Sequence, residues 1–247
     1  MSKAGSALII GAAGGLGASL VEQIVKSERY AHIHAVSRSL PANPQLGVKY
    51  HVVDSSKAVD IENYCHLLLR EQFKFSLIVC CIGMLHGTTA GGRAVSPEKR
   101  LEDLHVAQLR QYFQVNTIIP AMWLKHLGPL MAGSELAHLV FFSARVGSIA
   151  DNQLGGWYGY RASKAALNML LKSAQVEFQR RAKNVSIVCY HPGTVDTALS
   201  KPFQANVKPE KLFNADFSAQ QLLLHLDSLG LENGPHFIDW QGQSIPW

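Results

Sequence analysis

Short apolar runs and amphipathic segments alternate along this chain from end to end, and few architectures accept that order. A run that is apolar on both faces must be covered on both, so seven strand runs, most of them of this kind, joined by helical segments describe a parallel sheet with helices on each side. The strand candidates are ALIIGA near Ala7, HIHAVS near Ile33, VKYHVVD near Val52, SLIVCCIG near Ile78, LAHLVFFSA near Val140, VSIVCYHPG near Val188 and PHFIDW near Phe237. Helices are predicted near Leu20 and Leu68 and over 115–130, 157–181 and 220–229. No internal repeat or Pro/Gly linker divides the chain, and its length suits one α/β domain over 1–247. Two segments, 86–100 and 196–211, lack periodicity and are predicted to be loops. The second follows a strand end, where open α/β sheets place ligands.

Composition removes several alternatives. With 47% hydrophobic and 17% charged residues, the chain has little room for disordered tails. The net charge of +5 raises nucleic acid as a partner, yet the basic residues are scattered. Their densest cluster, QRRAK, ends a predicted helix, where cations suit the macrodipole, so no nucleic-acid partner is expected. Cys65, Cys80, Cys81 and Cys189 have neither Cys-x-x-Cys nor disulfide-framework spacing and read as reduced core residues of a cytoplasmic protein. The glycines of MSKAGSALIIGAAGGLGASL fit a strand and turn better than a secretory leader, and no run of 18 apolar residues predicts a membrane span. The eleven histidines form no ligand spacing, so no metal is expected.

The first strand runs into a glycine turn and a helix, LIIGAAGGLGASLVEQIV, with Gly11, Gly15 and Gly17 in a G-x-x-x-G-x-G spacing. Glycines let the backbone approach a pyrophosphate, and the helix N-terminus offers free N–H groups and a positive dipole end. A tight βα turn that binds nothing is the alternative; the position after the first strand of a βαβ unit favours a nucleotide. After the second strand, AVSRS places Ser37 and Arg38 where a carboxylate for the ribose 2′-hydroxyl is usual. No acid lies between Ala35 and Ser39, and an arginine fork suits a 2′-phosphate, so NADP(H) is favoured over NAD(H), with a merely solvated arginine as the alternative. Asp54 ends the third strand, where its carboxylate either accepts from an adenine amino group or caps the next helix. In WYGYRASKAALNMLL, Tyr160 and Lys164 share one helical face at (i, i+4). About 0.4 such pairs are expected by chance in this composition, so the pair needs its context.

Taken together, these features resemble the classical short-chain dehydrogenase/reductase family across essentially the whole chain, with YRASK and HPGTVDT in the family's order. The resemblance implies a Rossmann-like doubly wound parallel sheet of about seven strands with helices on both faces. It also implies NADP(H)-dependent interconversion of a small-molecule carbonyl and alcohol by a homodimer or homotetramer assembled through 115–130 and 157–181. Catalysis maps onto Asn116, Ser143, Tyr160 and Lys164. Cofactor contacts map onto Gly11, Gly15, Leu16, Gly17, Ser37, Arg38, Asp54, Ser55, Cys81, Ile82, Gly83, Asn116, Tyr160, Lys164, Pro192, Gly193, Val195 and Thr197. The segments SARVGSI and GQSIPW are similar to the C-factor branch, named for a developmental signalling protein, so a nucleotide-binding signalling role with little turnover stays open. A sugar-nucleotide epimerase shares Tyr-x-x-x-Lys but expects a longer chain and G-x-x-G-x-x-G.

Two departures from the family pattern stand out. CIG replaces the usual Asn-Ala-Gly, so cofactor contacts at Cys81 must come from backbone; and Ser143 and Tyr160 are 17 residues apart, which adds residues such as DNQLGG beside the site. A free tyrosine titrates near 10, so acid–base work near neutrality is expected to need phenolate stabilisation of about 4 kcal/mol. Lys164 and an oxidised nicotinamide are expected to supply it, while Ser143 stabilises oxyanion charge. The resemblance gives Asn116 a water-holding role and Lys164 a contact to the nicotinamide ribose.

Overall fold

The computed structural model describes residues 5–89 and 91–247. The first four residues of the expected domain and leader-like stretch, and Ala90 of the expected loop over 86–100, lie outside the described residues. Seven strands form one parallel sheet: β1 (Ser6–Ile10), β2 (His32–Ser37), β3 (Val48–Val52), β4 (Leu77–Cys80), β5 (Ala137–Phe142), β6 (Val185–His191) and β7 (His236–Asp239). The spatial order is β7-β6-β5-β4-β1-β2-β3, so the order reverses between β1 and β4. Ligand crevices of such sheets open at that switch, beyond the carboxyl ends of the strands.

Alternation along the strands builds two cores. Leu8, Ile10, Ile78, Leu139 and Ile187 point to one face and meet α2 (Ala58–Arg70), α4 (Ile119–Met131) and α5 (Tyr158–Arg181). Ala7, Ile9, Val79, Val140 and Val188 point to the other and meet α1 (Gly15–Ser27) and α6 (Ala215–Leu226). Helices α1 and α6 are tied by Ser19 donating to Asp216 and by Gln220 donating to Gln23 at 3.2 Å. Arg180 and Arg181 sit in the last turn of α5, where the QRRAK cluster was expected. No helix among the described residues is long and apolar enough to cross a membrane.

Four expectations are corrected. The helix expected over 115–130 begins earlier, as α3 (Val106–Phe113), and passes through a π-helical turn, Gln114–Ile118, into α4. The irregularity is therefore the wide turn holding Asn116, while Pro120 lies in the first turn of α4, where its missing N–H is tolerated. Strand β3 is not covered on both faces, because it is the sheet edge and Val52 is exposed. Of the four free cysteines, Cys65, Cys80 and Cys189 are core residues, but Cys81 is only half-buried. The expected loops carry short order of their own. Gly87–Thr88 pairs antiparallel with Ala94–Val95, and Thr194–Val195 pairs with Leu212–Phe213, which pins the base of the long excursion over 196–211.

Between β2, β3 and α2 lies a polar group that the sheet has buried dry. His34 has no exposed surface, stacks on His51 at 5.2 Å between ring centroids and meets Phe73 edge-on at 4.4 Å. Neither of its ring nitrogens, nor Nε2 of His51, nor the Tyr64 hydroxyl has a partner among the described residues. Burial first, then the neighbouring His51, Lys49 and His32, push His34 down to about 4. Because this lies below the unfolded value of 6.5, the stability of the neutral ring is fully present above that pH and is lost as pH falls toward 4, by about 3 kcal/mol in all. His191 is pushed down to about 4 in the same way, so urea unfolding at pH 7.5 and 4.5 is expected to show an acid loss that His34→Leu reduces but does not abolish. An equal acid loss in both proteins would disconnect it from His34.

Candidate active site

Each of the first six strands brings a predicted residue to the carboxyl edge of the sheet. After β1 the backbone turns at Gly11, whose φ of +87° is the left-handed region that glycine occupies at little cost. Gly11 and Ala12 donate to the Val36 carbonyl at 2.8 and 2.9 Å, which locks the turn to β2. Helix α1 then starts with Gly14 at its N-cap, no side-chain cap and no acid in its first turn, so the first N–H groups stay available around Gly15, Leu16 and Gly17. A Cβ on Gly17 would overlap the Gly11 carbonyl oxygen, and one on Gly15 would come 2.9 Å from Thr197 Cγ2. The glycines thus close the turn and let the β6 loop approach it, a cradle that fits a pyrophosphate.

Around this cradle, Arg38 is exposed at the end of β2, and Ser37 donates its hydroxyl to the Ser39 carbonyl at 2.6 Å. Asp54 folds back on its own turn, accepting from Ser56 N at 3.1 Å and Ser56 Oγ at 2.7 Å, which holds its carboxyl below the usual range. It does not cap α2, whose N-cap is Lys57. Ser55 accepts from Trp123 Nε1 at 3.1 Å, fixing this loop to α4. Cys81 N donates to the Ile10 carbonyl at 2.8 Å, extending the sheet, so that backbone N–H is already engaged; Ile82 packs on the first core. Across the crevice the Pro192 carbonyl accepts from Ser218 at 3.1 Å. Gly193, at φ +76°, admits the ring of Phe213, which a Cβ would meet at 2.7 Å. The Val195 carbonyl accepts from Ser200 at 2.5 Å and from Thr197 at 3.4 Å.

Four elements bring the polar centre together. Lys164 is buried in α5 and donates from Nζ to the Phe142 carbonyl at 2.8 Å. Burial pushes it down to about 8, against the opposing pull of the Cys80 and Cys189 thiols. Gly83 lies beside it, since a Cβ there would be 3.3 Å from Nζ and 3.6 Å from Asn116 Oδ1. Asn116 is spent on structure: its Oδ1 accepts from Met84 N at 2.7 Å, and its Nδ2 donates to the Met84 carbonyl and to Ser163 Oγ, both at 3.0 Å. Ser143 follows β5 and donates to Asn168 Oδ1 at 2.6 Å. Tyr160 is buried among apolar and aromatic neighbours, and burial alone pushes its hydroxyl up. In the chain by itself, desolvation favours the neutral form of the phenol.

Sequence reasoning missed several residues here. Asn168 lies four residues beyond Lys164 on α5, so helical spacing from Tyr160 and Lys164 already pointed to it. Arg145, two residues after Ser143, pairs with the buried Asp239 at 2.7 Å and so ties the serine's loop to β7. No local pattern signalled that pair. Two surface cavities of about 270 and 570 Å³ open at the other edge, around His138 and His236 where strands begin, and hold none of these residues. The convergence of functional groups, not cavity size, locates the site.

Comparison with known proteins agrees with this geometry. Residues 6–208 match the family described as short chain dehydrogenase. The chain is similar to C-signal of Myxococcus xanthus, 31% identical over 147 residues that cover 60% of this chain and 83% of that protein. It is similar to benzil reductase ((S)-benzoin forming) of Bacillus subtilis, 25% identical over 94% of this chain and 88% of that one. Further oxidoreductase relatives are matched over 57–58% of their own length. A short-chain dehydrogenase/reductase structure from Burkholderia multivorans with bound NADP superposes with a TM-score of 0.79 at 21% identity, covering 98% of this chain and 99% of that one.

The start of α5 is held from a distance by another residue without a local signature. Glu98 is buried; it accepts from Gly159 N at 3.0 Å and from Gln108 Nε2 at 2.6 Å. Gly159 has no room for a side chain, since a Cβ would lie 2.7 Å from Tyr112 and 2.8 Å from Glu98. A carboxylate on the first turn of a helix satisfies a free N–H and suits the dipole. Glu98→Ala is expected to lower unfolding free energy by about 2 kcal/mol, and Glu98→Gln by less, because the amide oxygen still accepts. Urea denaturation checks both, and an alanine variant as stable as the parent would remove Glu98 from this role.

Proposed function

The chain belongs to the short chain dehydrogenase family, and from that membership we propose that it is an NADP(H)-dependent oxidoreductase interconverting a carbonyl and an alcohol. The observation that carries the reading is that Lys164 reaches the Phe142 carbonyl next to Ser143, with Gly83 beside both Lys164 and Asn116 and with Tyr160 one turn earlier on α5, at the carboxyl edge that also carries an uncapped glycine turn. Gly11, Gly15, Leu16 and Gly17 would hold the pyrophosphate, Arg38 the 2′-phosphate, and Lys164 with the 192–197 loop the nicotinamide half. When bound, NADPH supplies the hydride.

The chain's own residues handle the oxygen and the proton. Burial keeps the Tyr160 phenol protonated near neutrality, which suits a donor to the oxygen of a carbonyl under reduction. In the opposite direction the phenol must lose that proton, and Lys164, cationic below about pH 8, is the positive charge within this chain that would stabilise the phenolate. Ser143, whose single hydroxyl proton is donated to Asn168 Oδ1 in the free chain, would exchange that bond for one to the substrate oxygen. Asn116 acts through structure: its side chain fixes the strand β4 loop to α5 and so sets the floor under Lys164.

A second reading rests on the likeness to C-signal, whose name denotes a signal rather than a reaction. In that case the cofactor binds and turnover is slight. NADPH oxidation against aldehydes, ketones and quinones separates the two, since turnover above background on any of them favours the enzyme. Self-association is proposed through 115–130 and 157–181, where Ile118, Met169 and Val176 are exposed apolar residues. Light scattering at micromolar concentration is expected to find a dimer or tetramer, and a monomer would exclude this interface.

Tyr160→Phe keeps the ring and removes the proton donor. Its kcat is expected to fall at least about tenfold with NADP(H) affinity nearly unchanged, and a variant retaining more than that would remove Tyr160 from its role. Arg38 is expected to give NADP(H) a preference over NAD(H) of at least about tenfold through charge-assisted hydrogen bonds. Arg38→Ala should weaken NADP(H) while barely affecting NAD(H), by less as salt rises. Titration of both cofactors against both proteins decides it, and equal affinities in the parent would refute the preference.

A further inference from the structure

We propose that the substrate side of this site takes flat aryl carbonyl compounds, with Trp157 and Phe203 as the residues that determine this specificity. The inference rests on the carbonyl-reducing reading and adds the rings that grip the substrate. Trp157 stands at 6.1 Å from Tyr160 and 5.6 Å from Phe203 between ring centroids, and His86 lies 5.9 Å from Phe203. These rings come from three separate loops, after β4, before α5 and after β6, and form a chain that reaches the proposed proton donor through Trp157. Leu85, Val95 and Ala144 are buried behind them, with Met84 and Val146 packed alongside.

The backbone before α5 is arranged to present that tryptophan. Gly155, Gly156 and Trp157 follow one another in the left-handed region, at φ +64°, +63° and +54°. Two of the three are glycine, as that conformation favours; the third is a bulky residue that pays about 1 kcal/mol or more to be there. Its partners hold it in place: Trp157 N donates to the Glu98 carbonyl, and Arg161 donates to the Gly156 and Gly155 carbonyls at 2.9 and 3.1 Å. A ring held against its backbone preference, half-buried between Tyr160 and a loop, is positioned for a ligand rather than for the core.

Charge points the same way. No member of the apolar and aromatic cluster carries a formal charge, and the nearby cations are engaged. Arg161 is tied to backbone carbonyls, Arg145 to Asp239 and Asp151, and Lys201 lies near Asp196. At the rim Ile149 and Leu154, within the residues added between Ser143 and Tyr160, are 79% and 93% exposed. The site therefore offers hydrogen-bonding hydroxyls for one oxygen and apolar, aromatic walls for the remainder of the ligand. An aryl ring stacks or meets such rings edge-on, whereas a carboxylate on the substrate would be desolvated against apolar walls.

The test compares three diketone probes: benzil; 2,3-butanedione, which has methyl groups in place of the rings; and benzil-4-carboxylate, which keeps both rings and adds a carboxylate. In NADPH oxidation, benzil is expected to exceed both others at least tenfold in kcat/KM. Trp157→Ala and Phe203→Ala should each collapse the benzil-to-butanedione ratio at least fivefold, mainly through KM, and Trp157→Phe should restore most of it. A parent protein that turns over butanedione as well as benzil keeps the reductase reading and overturns this inference, as do variants that leave the ratio unchanged. If no probe turns over, the reductase reading fails, and binding then decides. Quenching of tryptophan fluorescence by benzil that Phe203→Ala weakens at least fivefold upholds the aryl site, and its absence overturns it.

Discussion

Helix α5 stands where it does because Gly147 has no side chain. A Cβ there would lie 2.9 Å from Lys164 Cβ and 3.0 Å from the Lys164 carbonyl carbon, so any other residue would lift the helix off the β5 loop. On that close seat the other contacts depend. Lys164 reaches the Phe142 carbonyl, Thr117 Oγ1 donates to the Ser163 carbonyl at 2.8 Å, and Asn116 reaches Ser163 Oγ at 3.0 Å. The wide π-helical turn at Gln114–Ile118 carries both Asn116 and Thr117, so the helix irregularity and the helix seat are parts of one joint. Glu98 secures the other side of the same helix start.

The joint also sets the electrostatics. Pressing Lys164 and Tyr160 into the protein raises the cost of charge on each, so the lysine moves down and the phenol up. Both shifts shorten the distance to a neutral pair. A neutral phenol is a donor, and the lysine, with its N–H on a backbone carbonyl, is a compact and oriented cation. The direction of the Tyr160 shift depends on the surroundings more than on the sequence pair. Tyrosine and lysine four residues apart on an exposed helix would show neither effect.

How legible the site was follows from which forces act locally. The strands were readable because most are short, largely apolar runs, and the glycine turn because glycine accepts the φ of +87° at Gly11 and the contact at Gly17. Tyr160 and Lys164 were readable because helical spacing places them together. Edge strand β3 was misread because exposure depends on the absence of a neighbouring strand, which no residue within VKYHV announces. Glu98 and Asp239 gave no signal. A carboxylate in a loop or at a strand end is ordinary until a helix N–H or an arginine from elsewhere in the chain arrives beside it.

By itself, then, the sequence determined the layered α/β architecture, the phosphate-sized turn after β1 and the identity of the polar groups at the carboxyl edge. These follow from hydrophobic periodicity, from glycine's lack of a Cβ and from spacing within single elements. Tertiary structure alone decided that Asn116 is spent on Met84 and Ser163, that Ser143 rests on Asn168, and that Trp157 meets both Tyr160 and Phe203. Each of these joins groups from separate loops or elements. Their proximity is set by how the helices seat on the sheet, and burial, which sets the protonation of Tyr160 and Lys164, exists only once they are seated.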